Sequence, residues 1–324
     1  MKCAILGAGS RGTALAQVLA KNGHQPCLRS INQEDCTRIL QERENPSYLP
    51  WCLLDENISC ETRLKKVLED SDLIVIALPS KALPSCLKQL HSLYQGQPLV
   101  LASKGRNASD FSPLSTLITK TLGDVPLAVL SGASHAEEVV KGIPTGVVIA
   151  SSELALAEQI RGFFQNEVFK CCLSSDMIWV QLMGAFKNLV ALACGMSDGL
   201  GYGVNTKALI FTKGLQETAE IWLLLGAQRE TMLSCAGVAD MYVTCSSALS
   251  RNWNAGRLLA EGHSKQEITW GLMKMIAEGL YMTDAVEFFL SSHELSLPLL
   301  KMIVEVVNQQ VPCASAFEKF LKHC

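Results

Sequence analysis

One charged and one amide side chain interrupt an otherwise apolar segment in the second half of the chain. Between Gln181 and Ser197 every residue is apolar or small except Lys187 and Asn188. Burial of an ammonium is costly, so a lysine in such a segment shifts its pKa or finds a partner, and a lysine with a lowered pKa is a competent general acid or base. The pair is equally compatible with a lysine that extends from a buried helix to solvent.

A glycine-rich sequence near the N-terminus, Gly7-Ala-Gly-Ser-Arg-Gly12, directly follows a predicted strand and begins a predicted helix. In this context G-x-G-x-x-G predicts a dinucleotide site. Gly7 permits a tight turn, Gly9 lets the backbone approach a pyrophosphate, and Gly12 lets helix and strand pack closely. The helix N-terminus offers N–H donors to the anion, and Ser10 and Arg11 add further donors.

The residues after the second predicted strand bear on the choice between NAD and NADP. In Rossmann domains an acid at this place accepts the adenosine ribose hydroxyl, whereas an Arg accommodates the 2′-phosphate of NADP. Here the sequence reads Leu28-Arg-Ser-Ile-Asn32, and Glu34 and Asp35 come late. Arg29 and Ser30 are donors that suit a phosphate. The sequence therefore favours NADP slightly and leaves NAD open.

Further polar residues follow predicted strands or lie in a loop of small residues. Ser103-Lys104-Gly105 comes just after a strand, where ligands bind in open α/β sheets, so we expect Lys104 to face the cleft. Ser131-Gly-Ala-Ser134 follows the next strand and suits an anion or a plain turn. Arg251 supplies a planar fork for a phosphate and Asn252 a further donor, although an exposed Arg is ordinarily a solvated surface residue.

Composition excludes several classes of protein. The 324 residues are 48% apolar and 18% charged, and the net charge of −3 comes without a basic run, which predicts a globular protein with no nucleic-acid partner. The 13 cysteines are scattered without a CxxC, so we expect no disulfide framework and no metal site, but buried thiols in a reducing compartment. No signal-peptide core is present, and the longest apolar segments are shorter than the ~20 residues of a membrane span.

The first half of the chain alternates short apolar runs with amphipathic stretches, which is the pattern of βαβ units in a doubly wound, mostly parallel sheet. The predicted strands are Cys3–Leu6, Gln25–Arg29, Leu73–Leu78, Pro98–Ala102, Leu127–Ser131 and Gly146–Ala150, and the predicted helices are Thr13–Asn22, Asn32–Arg43 and Leu83–Leu93. The proline-bounded segment Asn45–Pro50 predicts an irregular loop without chemistry.

After about Ser174 the pattern changes to long apolar-rich segments. These segments predict helices at Met177–Met196, Thr206–Leu225, Ser264–Phe289 and Pro298–Asn308. The expected fold class is therefore α/β, with a Rossmann-type dinucleotide-binding domain at 1–173 followed by an all-α substrate-binding and catalytic domain at 174–324.

Taken in order along the chain, these motifs resemble those of the bacterial NAD(P)-dependent glycerol-3-phosphate dehydrogenase family. The residues that carry the resemblance are Gly7–Ala16, Asn45–Pro50, Pro79-Ser80, Ser103–Gly105, Ser131–Val139, Phe186–Asn188, Ser197–Asn205, Asp240 with Thr244-Cys245, Ser250–Asn252 and Glu278-Gly279. The resemblance implies a cytoplasmic homodimer with a fold similar to that of 6-phosphogluconate dehydrogenase. It also implies reduction of dihydroxyacetone phosphate to sn-glycerol 3-phosphate for phospholipid synthesis, with NADP or NAD.

The resemblance further implies roles for individual residues, with Lys187 as proton donor and acceptor beside Lys104 and Asp240. The implied substrate contacts are Lys104, Ser134, Lys187, Asp240, Thr244, Ser250, Arg251 and Asn252. The residue pattern adds Gly132, in the turn that suits an anion, and Asn188, beside Lys187. The residue pattern itself assigns Gly7, Gly9, Gly12 and Ser30 to the nucleotide, and the resemblance implies further nucleotide contacts from Ser10, Arg11, Lys104, Ala136, Arg251, Ile276 and Glu278. The chain departs from the usual family residues at Arg11, Ile31, Ala133, His135 and Lys213.

Two other functions fit parts of the sequence. A related two-domain dehydrogenase acting on a hydroxyacid would share the Rossmann domain, the helical domain and the lysine, but Ser250-Arg251-Asn252 argues against it. A non-catalytic NAD(P)-sensing protein is suggested by the departures at Arg11, Ala133 and His135. The presence of Lys104, Lys187 and Asp240 argues against that second alternative.

Overall fold

The computed structural model describes residues 1–105, 112–224, 226, 228–273, 277–293 and 295–323, apart from the side chain of residue 185. Contacts divide the chain into two compact units, Met1–Gln181 and Leu182–Cys324. The division falls inside a long helix, later in the chain than the boundary that the sequence predicts after residue 173.

The first unit is built on one sheet. Its strands are β1 Lys2–Leu6, β2 Gln25–Arg29, β3 Ser59–Glu61, β4 Leu73–Ile76, β5 Leu99–Leu101, β6 Leu127–Ala133, β7 Thr145–Ala150 and β8 Phe169–Ser174. Its helices are α1 Ser10–Lys21, α2 Gln33–Gln41, α3 Leu64–Leu68, α4 Leu83–His91, α5 Leu114–Leu122, α6 Ala136–Val139 and α7 Leu154–Phe164, with a 3₁₀ turn at Ser80–Ala82.

The strand order is β3-β2-β1-β4-β5-β6-β7-β8, and every neighbouring pair is parallel except β6 with β7. This order confirms the predicted doubly wound α/β fold. The chain runs outward from β1 in one direction through β3 and returns to the other side of β1 at β4. Ligands of such sheets bind beyond the carboxyl ends of the strands at this switch point.

The predicted strands all appear, with small shifts at their ends, but two edge strands were missed. β3 has only three residues, which is too short for an alternating pattern to stand out. β8 alternates a buried Cys171 with an exposed Cys172 and reads as FKCCLS, a sequence without a run of β-branched residues. Both strands lie at the ends of the sheet.

One pair of cysteines contradicts the expectation of thiols throughout. Cys36 on α2 and Cys60 on β3 form a disulfide, with Cα atoms 5.0 Å apart. The pairing of β2 with β3 brings these two elements together, and no spacing in the sequence reveals it. Other described cysteines are free thiols, namely Cys3, Cys27, Cys52, Cys86, Cys171, Cys172, Cys194, Cys245 and Cys313. Burial raises the pKa of Cys3, Cys171 and Cys313 to about 12, so these thiols stay neutral.

The regular elements of the second unit, among its described residues, are all helices. The helices are α8 Met177–Gly199, which begins in the first unit, α9 Val204–Leu224, α10 Arg229–Met232, α11 Asp240–Ser246, α12 Arg251–Ala260, α13 Lys265–Glu267, α14 Gly279–Ser292, α15 Pro298–Val307 and α16 Cys313–Leu321, with π turns at Cys235–Ala239 and Ile268–Leu272.

The prediction of one helical segment over Ser264–Phe289 is wrong in its continuity. A capping box at Ser264 starts the short α13, the π turn ends at Leu272, and α14 starts only at Gly279. Gly279 marks a close approach, because a Cβ there would lie 2.8 Å from the carbonyl oxygen of Asn188. The apolar periodicity of the sequence indicates neither the capping box nor this backbone contact, so it could not predict where the helices end.

Two helices of the second unit pack with their backbones in contact. A Cβ on Gly195 of α8 would lie 2.0 Å from the carbonyl oxygen of Trp253, and one on Gly256 of α12 would lie 2.1 Å from that of Leu192. Only glycine fits at such distances, since real Cβ atoms do not approach so closely. This packing brings the start of α12 against the middle of α8.

Among the described residues, α8 is long and apolar enough to cross a membrane, and the bent pair Arg229–Ser246 and Arg251–Ala260 would make a second candidate if it were one span. The expectation that no segment reaches this length is therefore wrong for α8, because the helix continues through Lys187. However, 88% of its most apolar window is buried inside the structure. The core helix of a soluble protein passes the same test.

Candidate active site

Each of the three glycines in the glycine-rich loop is required for a different structural reason. Gly7 has φ +121°, and a Cβ there would lie 2.6 Å from the carbonyl oxygen of Ala77. A Cβ on Gly12 would lie 1.9 Å from the carbonyl oxygen of Gly7. Gly9 is different, because no atom lies within 4 Å of a Cβ placed on it. Packing within the protein thus explains Gly7 and Gly12, while Gly9 borders open space at the N-terminus of α1 and fits the approach of a pyrophosphate.

The segment Asn45–Leu49 holds this loop in place. Asn45 is 1% exposed, and its Nδ2 donates to the carbonyl oxygen of Ala8 and to Oγ1 of Thr13, both at 2.8 Å. Ser10 Oγ donates to the carbonyl oxygen of Tyr48 at 2.9 Å. The prediction of an irregular loop without chemistry at Asn45–Pro50 is therefore incomplete, because Asn45 supports the glycine-rich loop. The match of Asn45–Pro50 to a family motif was the one sign in the sequence that this segment matters. The burial of Asn45 against the loop appears only in three dimensions.

Arg11 joins the start of α1 to the end of β6. Its Nη2 donates to the carbonyl oxygen of Leu130 at 3.1 Å, and its Nη1 lies 3.4 Å from Oγ of Ser134. Ser134 Oγ donates to the carbonyl oxygen of Gly132 at 3.0 Å. A Cβ on Gly132 would lie 2.7 Å from Cα of Val147, so packing against β7 requires this glycine. The predicted residues Arg11, Gly132 and Ser134 therefore lie together, and Ala136 begins α6 just beyond them.

Lys104 follows β5 at the carboxyl edge of the sheet, where the sequence predicts it. The turn that carries it is pinned by Ser103, whose Oγ accepts from the backbone N–H of Leu78 at 3.0 Å and donates to the carbonyl oxygen of Ile76 at 3.3 Å. Gly105 has φ +104°, a conformation that favours glycine. Lys104 is half-buried in the first unit, whereas Lys187 belongs to the second.

The donors predicted for a 2′-phosphate are engaged with protein groups. Arg29 Nη2 donates to Oε1 of Gln89 on α4 at 3.2 Å. Ser30 is buried, and its Oγ accepts from the backbone N–H of Asn32 at 3.1 Å and donates to Oδ2 of Asp35 at 3.2 Å. Asp35 comes late in the sequence, yet its carboxylate lies against the residue that follows β2. Sequence reasoning missed this contact because position along the chain does not report how the first turn of α2 folds back.

A buried ion pair forms the centre of the candidate site in the second unit. Lys187 Nζ on α8 lies 2.5 Å from Oδ1 of Asp240 on α11, and the two residues are 5% and 1% exposed. The carboxylate compensates a charge that would otherwise be buried alone. Cys245, one turn beyond Asp240, is also buried, and burial raises the pKa of its thiol well above its ordinary value despite the opposing effect of Lys187. The neutral thiol packs beside the ion pair.

An amide network lies beside this pair. Asn252 Nδ2 donates to Oδ1 of Asn188, and the backbone N–H of Gly279 donates to Oδ1 of Asn252, both at 2.8 Å. Asn188 Nδ2 also lies 3.4 Å from Oε2 of Glu278. Asn252 thus joins the starts of α12 and α14 to α8. These contacts indicate that Asn252 positions the helices, because its amide is engaged with protein groups.

The remaining predicted residues of the second unit lie around α11 and α12. Thr244 Oγ1 donates to the carbonyl oxygen of Asp240 at 2.6 Å. Ser250 caps α12 by accepting from the backbone N–H of Trp253 at 3.2 Å, and Arg251 is exposed at the first position of that helix. Ile276 lies outside the described residues. Within the described ranges, no group of three or more His, Cys, Asp or Glu side chains is arranged to hold a metal ion.

Two family models match successive parts of the chain. The model described as NAD-dependent glycerol-3-phosphate dehydrogenase N-terminus matches residues 2–157, and the corresponding C-terminus model matches residues 176–318. Proteins named glycerol-3-phosphate dehydrogenase (NAD(P)+) from Agathobacter rectalis and Shouchella clausii are 34% and 36% identical to the chain, over 98% and 99% of it and 94% and 95% of their own lengths.

Similarity of structure gives the same result. A crystal structure of glycerol-3-phosphate dehydrogenase from Coxiella burnetii matches with a TM-score of 0.91 and 33% identity, covering 99% of this chain and 98% of that one. A D-mandelate dehydrogenase structure matches with a TM-score of 0.61 at 14% identity and therefore shares the fold alone.

Proposed function

The chain belongs to the NAD-dependent glycerol-3-phosphate dehydrogenase family, and from that premise we propose that it reduces dihydroxyacetone phosphate to sn-glycerol 3-phosphate with an NAD(P) coenzyme. The observation that carries the proposal is the buried pair of Lys187 with Asp240. Lysines are almost never buried unless they are paired, and the pair with Asp240 holds this ammonium at one position beside the other predicted site residues Asn188 and Thr244. The product is a precursor for phospholipid synthesis.

In the proposed reaction Lys187 donates a proton to the carbonyl oxygen of the substrate as negative charge develops there. When bound, the nicotinamide coenzyme supplies the hydride. Asp240 fixes the position of the ammonium at 2.5 Å, and general acids placed in this way accelerate reactions by about 10²–10⁴-fold. Asn188 and Asn252 keep α8 and α12 in register beside the ion pair.

We assign the phosphate of the substrate to the start of α12. This ten-residue helix offers N–H donors at its N-terminus, and Arg251 adds an exposed guanidinium there. Lys104, Ser134, Thr244 and Ser250 complete the proposed substrate contacts. For Gly132 and Asn252, the contacts within the protein favour a positioning role.

We assign the pyrophosphate of the coenzyme to the glycine-rich loop and the N-terminus of α1. Gly9 borders open space there, and the first turn of α1 contains no acidic residue. The further proposed coenzyme contacts are Ser10, Arg11, Lys104, Ala136, Arg251, Ile276 and Glu278. The sequence also predicts a direct contact from Ser30, but its hydroxyl is engaged with Asp35 and Asn32, so we assign it a positioning role for Asp35 instead.

The test compares Lys187→Met with Lys207→Met, a matched lysine whose ion pair with Asp198 lies elsewhere in the second unit. NADH and NADPH oxidation is measured with dihydroxyacetone phosphate and with a panel of 2-ketoacids, and coenzyme binding is measured separately. We expect Lys187→Met to lower kcat by a factor on the order of 10² or more while coenzyme affinity stays close to wild type. The variant leaves the buried Asp240 carboxylate without this partner and should also have a lower melting temperature, so kcat is measured at a temperature at which both proteins are folded. Lys207→Met should keep wild-type kcat.

Three outcomes would contradict the proposal. Near wild-type kcat in Lys187→Met would remove its role in proton transfer. Turnover of a 2-ketoacid in preference to dihydroxyacetone phosphate would favour the hydroxyacid dehydrogenase. Tight coenzyme binding without turnover of any substrate would favour the NAD(P)-sensing protein.

We further propose that the enzyme is a cytoplasmic homodimer and that its functional domains are 1–173 and 174–324. The second unit exposes large apolar side chains, with Phe288, Leu233 and Tyr242 at 75%, 72% and 62% exposure, and an interface between copies would remove such side chains from water. Sedimentation equilibrium at micromolar concentration should give twice the mass of the chain. A monomeric mass would contradict the homodimer.

A further inference from the structure

The turn between β2 and α2 has its own arrangement of charge. We call it the ribose corner and define it by Ser30, Ile31, Asn32, Asp35 and Ser47. The Asp35 carboxylate accepts from Oγ of Ser30 through one oxygen and from Oγ of Ser47 through the other, each at 3.2 Å. These two contacts fix the carboxylate at the carboxyl end of β2. In Rossmann folds the adenosine ribose lies at this end.

The neutral side chains of the ribose corner offer few hydrogen-bond donors to a phosphate. The Ser30 hydroxyl donates to Asp35 and accepts from the backbone N–H of Asn32. Asn32 Oδ1 in turn accepts from the backbone N–H of Glu34 at 2.9 Å, which uses a donor at the N-terminus of α2. Ile31 is 91% exposed and carries no charge.

Arg29 precedes the ribose corner and Arg38 lies on α2, and both side chains have partners outside the corner. Arg29 donates to Gln89 and hydrogen-bonds the Cys86 side chain, so its guanidinium is held against α4. Arg38 pairs with Glu34 at 2.8 Å and neutralises that carboxylate. Of the five residues that define the ribose corner, Asp35 carries the charge, while Arg29, whose partners Gln89 and Cys86 are neutral, keeps its positive charge next to it in the chain. A 2′-phosphate, which is close to a dianion at neutral pH, would meet the Asp35 carboxylate at short range.

We propose that the ribose corner selects NADH over NADPH and that Asp35 is the residue responsible. A carboxylate is an acceptor only, so it receives hydrogen bonds from ribose hydroxyls but offers none to a phosphate. Ser30 and Ser47 are positioning residues that aim Asp35. The inference rests on the proposed function and reverses the slight preference for NADP that Arg29 and Ser30 suggest in the sequence.

The test measures the dissociation constants of NADH and NADPH by calorimetric titration of the full chain, without substrate. Wild type should bind NADH at least about tenfold more tightly than NADPH. Asp35→Asn keeps the shape of the side chain and adds a donor, and it should reduce that ratio by about tenfold, a change typical of one short-range charge contact near a surface. Glu34→Gln is the matched control, since Glu34 is exposed and ion-paired, and its ratio should equal that of wild type.

Arg29→Gln separates the two possible determinants. If Arg29 instead turns to a 2′-phosphate, this variant should lose NADPH affinity alone, and that result would overturn the proposal. Equal affinity of wild type for both coenzymes, or an equal change in ratio for Asp35→Asn and Glu34→Gln, would also overturn it. If neither coenzyme binds, the proposed function itself fails. A preference for NADPH with normal turnover would refute only the assignment of the ribose corner.

Discussion

Glu217 on α9 is a buried carboxylate that the proposed reaction does not use, and its environment makes a quantitative prediction about stability. It is 3% exposed, and its two oxygens accept from the backbone N–H groups of Leu299 and Leu300 at 2.7 and 2.9 Å. α15 begins at Pro298 without a side-chain cap of its own, so Glu217 caps it from another helix.

Two opposing effects act on this carboxyl. Burial raises the pKa of Glu217 from 4.5 to about 7, against the hydrogen bonds from Leu299 and Leu300, which lower it. A raised pKa means that the folded state binds the proton more tightly than the unfolded chain does. The contribution to stability is therefore fully present below about pH 4.5 and is lost as the pH rises through about 7. The loss amounts to about 3 kcal/mol, since each pKa unit corresponds to about 1.4 kcal/mol.

Glu217→Gln provides the test, because glutamine imitates the protonated carboxyl and does not titrate. The free energy of unfolding is measured from urea titrations at pH 5, 6, 7 and 8 for wild type and variant. The two should be similar at pH 5, and the variant should gain on wild type as the pH rises, by about 3 kcal/mol in the limit above pH 7. Glu318→Gln, on an exposed site of α16, is the control and should follow wild type.

A difference between wild type and Glu217→Gln that stays constant with pH would refute this reasoning. It would mean that the two backbone N–H groups offset the burial of the carboxylate completely. A variant that is less stable than wild type at every pH by the same amount would point to the loss of one charge-assisted hydrogen bond as the dominant effect, about 1.5–3 kcal/mol.

Two further predictions concern the coenzyme loop. Gly12→Ala should lower the free energy of unfolding in urea by roughly 1–3 kcal/mol, because its Cβ would meet the Gly7 carbonyl. Gly9→Ala should leave stability nearly unchanged and weaken NADH binding by about tenfold or more. A Gly12→Ala protein as stable as wild type would contradict the packing explanation. Asn45→Ala should lower the melting temperature, since it leaves the buried partners of the Asn45 amide unsatisfied at a cost of about 1–3 kcal/mol. It should also weaken NADH binding measured by calorimetry. Unchanged NADH affinity would mean that this segment does not support the coenzyme site.

The sequence predicts the features that depend on local pattern. Period and composition place β1 and β2, and the glycine spacing identifies the loop at Gly7, because each signal is contained in a few neighbouring residues. The Lys187 and Asn188 pair stands out for the same reason, since it interrupts an apolar helix. Short edge strands such as β3 carry too few residues for this kind of signal.

What sequence reasoning could not reach depends on contacts between distant segments. Asp35 comes after the place where an acid is expected, and only the fold of α2 returns its carboxylate to Ser30. Asn252 resembles a ligand donor by type, but its amide bridges Asn188 and Gly279. The Cys36–Cys60 pair likewise follows from the neighbourhood of β2 and β3. In each case the sequence shows what chemistry the residue type allows, but it does not show which distant residue is its partner.

The segment Asn45–Leu49 has a consequence for engineering. Asn45 and Tyr48 contact the glycine-rich loop, while Ser47 contacts Asp35 at the ribose corner. A coenzyme exchange that grafts only the β2–α2 turn from another enzyme would separate Asp35 or its replacement from Ser47. The smallest transplantable module is therefore discontinuous, joining residues 29–35 to residues 45–49, and a graft of both pieces should carry coenzyme preference where either piece alone does not.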